Sequence, residues 1–325
     1  MRPFAFARAT SAHEAISAVA PTRTARYIAG GTNLVDLMID TVETPTLVVD
    51  INALPYREIA AHSNFVRIGA LARMSDVADH PLVKAQAPVV AQALERSASA
   101  QLRNAASIGG NLMQRTRCAY FRDVSRACNK RHEGSGCAAI GGENRQHAIL
   151  GTSAQCICTH PSDLAVALLA TDALVRITGA HGERTVPIER FHRLPGDTPA
   201  VETVLGHGEL ITAVDLPNSR VAANSGYLKV RDRRSYAFAL VSAAVGLDVV
   251  GGRVREARLG LGGVAPVPWR ARAAERALLG GAPTRANFEH AAELALGGAR
   301  GYGHNDFKIA LAKRAIVRAF ALVAA

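Results

Sequence analysis

All five cysteines of this 325-residue chain fall between Cys118 and Cys158, and no other position carries one. Cysteines kept for packing would be scattered over core elements. These sit instead in a segment with little aliphatic periodicity, among Asn129, Gly134, Ser135 and Gly136. Any fold must therefore gather an irregular, polar stretch of about residues 114–159 around a shared thiol chemistry, and leave the regular structure to the sequence on either side. The stretch reads as an insertion.

The flanking sequence supplies that structure. Ser11-Ala-His-Glu14 has the spacing of a capping box and starts a helix reaching Val19. Arg26-Tyr27-Ile28 reads as a strand running into Ala29-Gly30-Gly31-Thr32-Asn33, then a helical pattern at Leu34, Leu37 and Met38; Thr46 to Ile51 is a further strand. Together these make a βαβ-type unit over 1–55. A second unit, 56–217, starts with Val66-Arg67-Ile68-Gly69-Ala70 and continues, past the insertion, into an apolar helix after Pro161-Ser162-Asp163. After a polar linker at Asn218–Ser225, a third unit spans 224–325. In it Val245, Leu247 and Val249 alternate, Gly251-Gly252 turns the chain and Arg253 to Leu261 pairs back. Helices are expected at 269–279 and 286–297, and Ile309, Ala312, Ile316, Phe320 and Val323 form a closing helical stripe. The class is α+β.

Charge excludes less than its size suggests. The formal balance is +11, from 38 Lys+Arg against 27 Asp+Glu, but the bases are scattered and little interleaved with aromatics, so nucleic-acid binding lacks a footprint. A local excess exists only inside the insertion, where Arg115, Arg117, Arg122, Arg126, Lys130 and Arg131 face Asp123. The longest apolar run, Leu164 to Ile177, is broken by Asp172 and Arg176, so no membrane span is expected. The opening MRPFAFARATSAHEA lacks an apolar core of signal-peptide length, so export would depend on a partner. No HExxH, GxSxG or Walker pattern supports hydrolysis.

Three patterns can carry chemistry. Gly30-Gly31 sits between a strand and a helix, where backbone N–H groups can approach a diphosphate; Ser107-Ile108-Gly109-Gly110-Asn111 repeats the device about eighty residues on. His160-Pro161-Ser162-Asp163 opens the apolar helix, with Ser162 or Asp163 able to cap it, and Lys229 can place a cation near a phosphate or flavin ring or simply lie at the surface. For the cysteines, disulfides, zinc and an iron–sulfur cluster compete. Zinc knuckles use close pairs, unlike the long gaps between Cys118, Cys128, Cys137 and Cys156; disulfides would leave one thiol over and need an oxidising compartment. A four-iron cube wants four thiolates converging from a flexible loop, and surrounding bases would favour its reduced form. Cys156 and Cys158, two residues apart, can both face such a centre.

At these residues the chain resembles the FAD-binding subunits of the xanthine dehydrogenase and aldehyde oxidoreductase family, with its vanillyl-alcohol-oxidase (PCMH) type of flavin fold and a C-terminal α+β domain. The carriers are Ile28-Ala29-Gly30-Gly31-Thr32-Asn33-Leu34, Ser107-Ile108-Gly109-Gly110-Asn111, His160-Pro161-Ser162-Asp163, Lys229 and Gly262-Gly263-Val264-Ala265-Pro266. The resemblance implies that Ala29, Gly30, Gly31, Thr32, Asn33 and Leu34, with Ser107, Gly109, Gly110 and Asn111, hold the FAD diphosphate, and that Asp163, Ile211 and Lys229 lie along the rest of the flavin. Gln114-Arg115-Thr116-Arg117-Cys118, Cys128-Asn129-Lys130-Arg131 and Gly134-Ser135-Gly136-Cys137 look like the subset with an extra four-iron (4Fe-4S) cluster, as in the three-subunit periplasmic aldehyde oxidoreductases. That pattern selects Cys118, Cys128, Cys137 and Cys156 as ligands and leaves Cys158 where alanine is usual. It further implies a heterotrimer. A molybdopterin-binding large subunit oxidises an aldehyde or heteroaromatic, and a small subunit with 2Fe-2S clusters passes electrons to FAD and on to an external acceptor. Periplasmic residence by co-export with a signal-bearing partner is implied, with the cytoplasm as the alternative. A subunit of an aroyl-CoA (hydroxybenzoyl-CoA type) reductase is the alternative enzyme. No catalytic residue is assigned to this chain.

Overall fold

The computed structural model describes residues 1–324. Three sheets organise it. The first is parallel, with β1 (Ala5–Arg8), β2 (Arg26–Ile28) and β3 (Leu47–Asp50) in the order β1-β3-β2. The helix Ala12–Val19 connects β1 to β2. Ser11 caps it by accepting the Glu14 N–H at 3.1 Å, an orphan donor of the first turn, while the Glu14 carboxylate reaches back to the Thr10 N–H just before the cap at 2.7 Å.

The second sheet is antiparallel, in the order β4-β5-β8-β6-β7. Its strands are β4 (Ile59–Ala61), β5 (Phe65–Gly69), β6 (Leu174–Gly179), β7 (Gly182–Pro187) and β8 (Leu210–Pro217). The third, β12-β11-β10-β9, contains β9 (Ser225–Val230), β10 (Val241–Val250), β11 (Arg253–Gly262) and β12 (Trp269–Arg270). Between β10 and β11, Gly251 and Gly252 both take positive φ, 57° and 73°. That is the two-residue hairpin geometry that L side chains resist, and it sets the pairing of Val250 with Arg253.

Two differences from the sequence reading concern the third unit. The helix expected from 269 starts at Arg272, because Trp269 and Arg270 pair with Leu261 and Gly260 at the sheet edge. The 218–225 linker contains a short helix, Arg220–Ala223, which Ser219 caps through the Ala222 N–H. The closing stripe does pack inward, with Ala312, Ile316 and Phe320 fully buried along the helix Phe307–Ala324.

The helix Asp163–Ala170 is buried on every side, so DLAVALLA shows almost no amphipathic face. Burying each of its leucines contributes roughly 1.5–3 kcal/mol, and they join the core under the second sheet. The insertion is nearly free of regular structure, holding only the helix Ala119–Arg122 and a bridge pairing Cys128 with Cys137. Its far end is nailed to the third unit: Ile149 and Leu150 donate to the Val264 carbonyl, and the buried Lys308 ammonium donates to the carbonyls of Gln146, His147 and Gly263. Among the described residues no helix is long and apolar enough to cross a membrane.

Candidate cofactor site

Where the first and second sheets meet lies a cleft of about 670 Å³. Ala29, Gly30, Gly31, Thr32, Asn33 and Leu34 line it on one side, Ser107, Gly109 and Gly110 on another, and Ile211 on β8 on a third. The two glycine turns touch. A Cβ on Gly30 would stand 2.0 Å from the Ala105 carbonyl oxygen, so only glycine lets the first loop lie against the chain entering the second.

The loops differ in what they offer. Among the described residues, the N–H groups of Gly30, Gly31, Thr32 and Asn33 have no acceptor within the chain and face the cleft ahead of a helix N-terminus. The second turn is satisfied internally: Gly109 N–H donates to Ala70 O at 2.8 Å and Gly110 N–H to Ser107 Oγ at 3.2 Å. The Asn33 side-chain amide is fixed at one end, its oxygen accepting the Arg115 N–H at 2.9 Å, while its buried Nδ2 has no partner. Unanswered donors of this kind suit a ligand rich in anionic oxygens, so the first loop fits a dinucleotide diphosphate.

Asp163 borders the next step of the site, whereas Asn111 lines neither cavity and reaches it only through Ser162. Ser162 Oγ donates to Asn111 Oδ1 at 2.5 Å and accepts the Ala165 N–H at 2.9 Å, so Ser162 caps the helix and leaves Asp163 free for another task. Asp163 lines an adjoining cavity of about 340 Å³, shared with His160, Gly262 and Gly263. Its carboxylate accepts from Tyr227 Oη at 2.5 Å, Ser97 Oγ at 2.9 Å and Lys229 Nζ at 2.7 Å. Lys229 is no surface lysine: its side chain is 1% exposed, and it lies behind Asp163 rather than in the lining of either cavity.

His160 lines both cavities. Its Nδ1 accepts the Ser162 N–H at 3.3 Å, so the remaining proton is on Nε2, which is buried and has no partner. Burial, with His192 and Lys130 nearby, keeps it neutral far below the usual histidine range. His192 stands edge-on to it at 4.3 Å, and burial pulls its pKa down to about 4. The sequence held no signal for His192.

The insertion folds over one end of the cleft. Cys118, Cys128, Cys137, Cys156 and Cys158 all line one small cavity of about 10 Å³, with Thr116, Phe121, Asn129 and Lys130. All five are free thiols. Burial pushes the Cys118 thiol up to about 12 and raises Cys137; His147 Nε2 lies 3.2 Å from Cys118 Sγ. The hydrogen bond between Cys156 and Cys158 raises the former and lowers the latter, and the Lys130 charge lowers both. Among the described residues no group of three or more His, Cys, Asp or Glu side chains is placed to hold a single metal ion. A cube, in which each thiolate meets a different iron, does not require that arrangement. The donor set, soft thiols only, is of the kind that iron–sulfur clusters, zinc and copper(I) all accept.

Thr116, Lys130 and Cys158 line the thiol cavity and the large cleft alike, so they form the partition between them. Lys130 Nζ donates to Glu202 Oε1 and to Pro199 O, both at 2.8 Å. Arg115 Nε donates to Glu202 at 2.6 Å, and its Nη1 to Glu43 at 2.5 Å. Burial alone would raise the Glu202 carboxyl, but Arg115 and Lys130 outweigh it and hold the group below the ordinary carboxylate range. Sequence reading missed Glu202 and Glu43, since isolated glutamates 159 residues apart carry no local pattern.

Comparison with known proteins follows the same outline. The profile described as "FAD binding domain in molybdopterin dehydrogenase" matches residues 2–219, and that of the "CO dehydrogenase flavoprotein C-terminal domain" matches 226–323. The chain is 44% identical to the aldehyde oxidoreductase FAD-binding subunit PaoB of Escherichia coli K12, covering 99% of this chain and 98% of that one. It is 26% identical to the glyceraldehyde dehydrogenase medium chain of Sulfolobus acidocaldarius, over 85% and 81% of the two. Among solved structures it superposes on quinoline 2-oxidoreductase from Pseudomonas putida 86 with a TM-score of 0.77 (25% identity, 99% and 97% covered). It also superposes on carbon monoxide dehydrogenase from Hydrogenophaga pseudoflava with a TM-score of 0.76 (28% identity, 98% and 97% covered). With its glycine-walled cleft, its mixed α/β fold and these likenesses along its whole length, the chain belongs to the FAD-binding subunits of the molybdenum aldehyde oxidoreductase and xanthine dehydrogenase family, and is an oxidoreductase subunit.

Proposed function

We propose that this chain carries FAD and one 4Fe-4S cluster within a heterotrimeric molybdenum hydroxylase that oxidises aldehydes, and that it relays electrons from the partners' 2Fe-2S clusters to an external acceptor. The observation that carries the reading is the convergence of every cysteine on one cavity sharing a wall with the flavin cleft. Cys118, Cys128, Cys137 and Cys156 are the ligands in this reading, and Cys158 is the fifth thiol left in the wall. The 44% identity to a subunit named for aldehyde oxidation favours aldehydes over aroyl-CoA thioesters. A periplasmic site, reached with a signal-bearing partner, belongs to the same reading.

When bound, FAD supplies exchange between one-electron and two-electron carriers. The chain's own residues supply placement. The free N–H groups of the first glycine loop and Asn33 Nδ2 would hold the diphosphate, and Ile211 and Asp163, the latter held by Lys229, Tyr227 and Ser97, with the His160 Nε2–H, would line the rest of the flavin's site.

Anaerobic purification with quantification of iron, acid-labile sulfide and flavin tests this directly. One flavin and about four irons per chain are expected, with iron lost on Cys128→Ser but retained on Cys158→Ala. Flavin without iron in the unaltered protein would sink the cluster assignment and leave family membership standing.

A further inference from the structure

We propose that Lys130, buried in the wall between the thiol cavity and the flavin cleft, and Glu202, its partly exposed partner on the cleft side, set the field at the cluster: Lys130 favours the reduced cluster and Glu202 opposes it. The inference rests on the cluster reading given above, and assigns to both residues a tuning role rather than a catalytic one.

Lys130 lies two residues after Cys128, and its side chain is 6% exposed. It lines the cysteine cavity and the flavin cleft together, whereas Glu202 lines only the cleft. The other bases of the insertion are answered elsewhere. Arg117 pairs with Asp36 at 2.7 Å, and Arg122 with Asp36 at 2.8 Å and Asp40 at 2.7 Å. Arg131 donates to the Tyr120, Phe121 and Arg126 carbonyls, and Arg126 is largely in solvent beside Asp123. Lys130 is therefore the charged base of the insertion that lines the thiol cavity from inside the protein; His147, 3.2 Å from Cys118 Sγ, is kept neutral by burial.

Beyond Lys130 the charges alternate through Glu202, Arg115 and Glu43, each joined to the next by a contact of 2.5–2.8 Å. Lys130 is the end of this chain nearest the cysteines. In a buried site a charge acts through little solvent screening, so reversing the balance at that end changes the cost of adding an electron to an anionic cube. One electron enters and no bond within the chain changes; in the test, dithionite supplies it.

The test is a potentiometric titration of the full chain followed by electron paramagnetic resonance, with iron and flavin contents measured alongside. Lys130→Met should lower the cluster potential, so that at a fixed poise the ratio of reduced to oxidised cluster falls at least tenfold, which is about 59 mV for one electron. Glu202→Gln should move it the opposite way, and Lys130→Arg should stay near the unaltered protein. General damage to the site would move Lys130→Met and Glu202→Gln in the same direction, and that result, or no movement in either, overturns the inference. If Lys130→Met fails to fold, the sign of the Glu202→Gln shift still decides. Absence of iron from the unaltered chain is a distinct outcome, because it removes the cluster reading itself.

Discussion

Asp163 shows how much one side chain can be asked to hold. It is 6% exposed and accepts three hydrogen bonds, from two different units of the molecule: Ser97 in the second, Tyr227 and Lys229 in the third. The sequence offered two bland roles, a helix cap and a surface lysine, and both fail for one reason. Ser162 takes the cap, which frees the carboxylate to neutralise an ammonium that β9 has carried inside. Removing one member of a buried pair leaves an uncompensated charge and typically costs about 3–5 kcal/mol. Asp163→Leu should therefore destabilise flavin-free protein by about that amount in urea melts, and adding Lys229→Met should recover much of it. A double variant no more stable than the single one would show that the pair is not the source of the loss.

At the level of elements, the two glycine turns work because they are packed together. The first turn's signature, a pair of glycines between a strand and a helix, was readable; Gly109-Gly110, read as the same device, lie instead inside the short helix Ile108–Leu112, just after the helix Ala100–Ala105. The inequality of the two was not readable: only the folded chain shows that Gly30 is required by the Ala105 carbonyl and that the second turn has already committed its N–H groups. Gly30→Ala must push the two turns apart, at a cost of about 1–3 kcal/mol for overpacking, with weakened flavin retention as the functional readout. Gly141→Ala, where an added methyl meets nothing within 4 Å, is the matched control and should keep both stability and flavin. Equal flavin retention in the two variants would contradict the contact's role in the site.

On the scale of the whole molecule, three cores lie under three sheets, and the insertion makes contacts with all three units. Ile149 and Leu150 belong to the third core, but Phe121 and Cys128 pack with Leu37 in a small cluster of their own, and the stretch between is irregular. If thiolate–iron bonds organise that stretch, chelating iron should expose residues 119–145 to protease while the segment around Ile149 and the three sheets stay resistant. Mapping the cuts by mass spectrometry checks this, and identical cuts with and without iron would count against a structural role for the metal.

What the sequence determined by itself is local or countable. It placed the glycine turns, the capped helices, the Gly251-Gly252 hairpin and the confinement of all thiols to one inserted stretch, since each depends on neighbours in the chain or on composition. Tertiary structure decided what those pieces face. It buried Lys229 against Asp163, set His192 against His160, and joined Lys130 to Glu202 and Arg115 to Glu43 across 72 residues or more. Such pairings have no period and no spacing to read, because burial converts a lone charge into one that must find its partner wherever the fold has brought it.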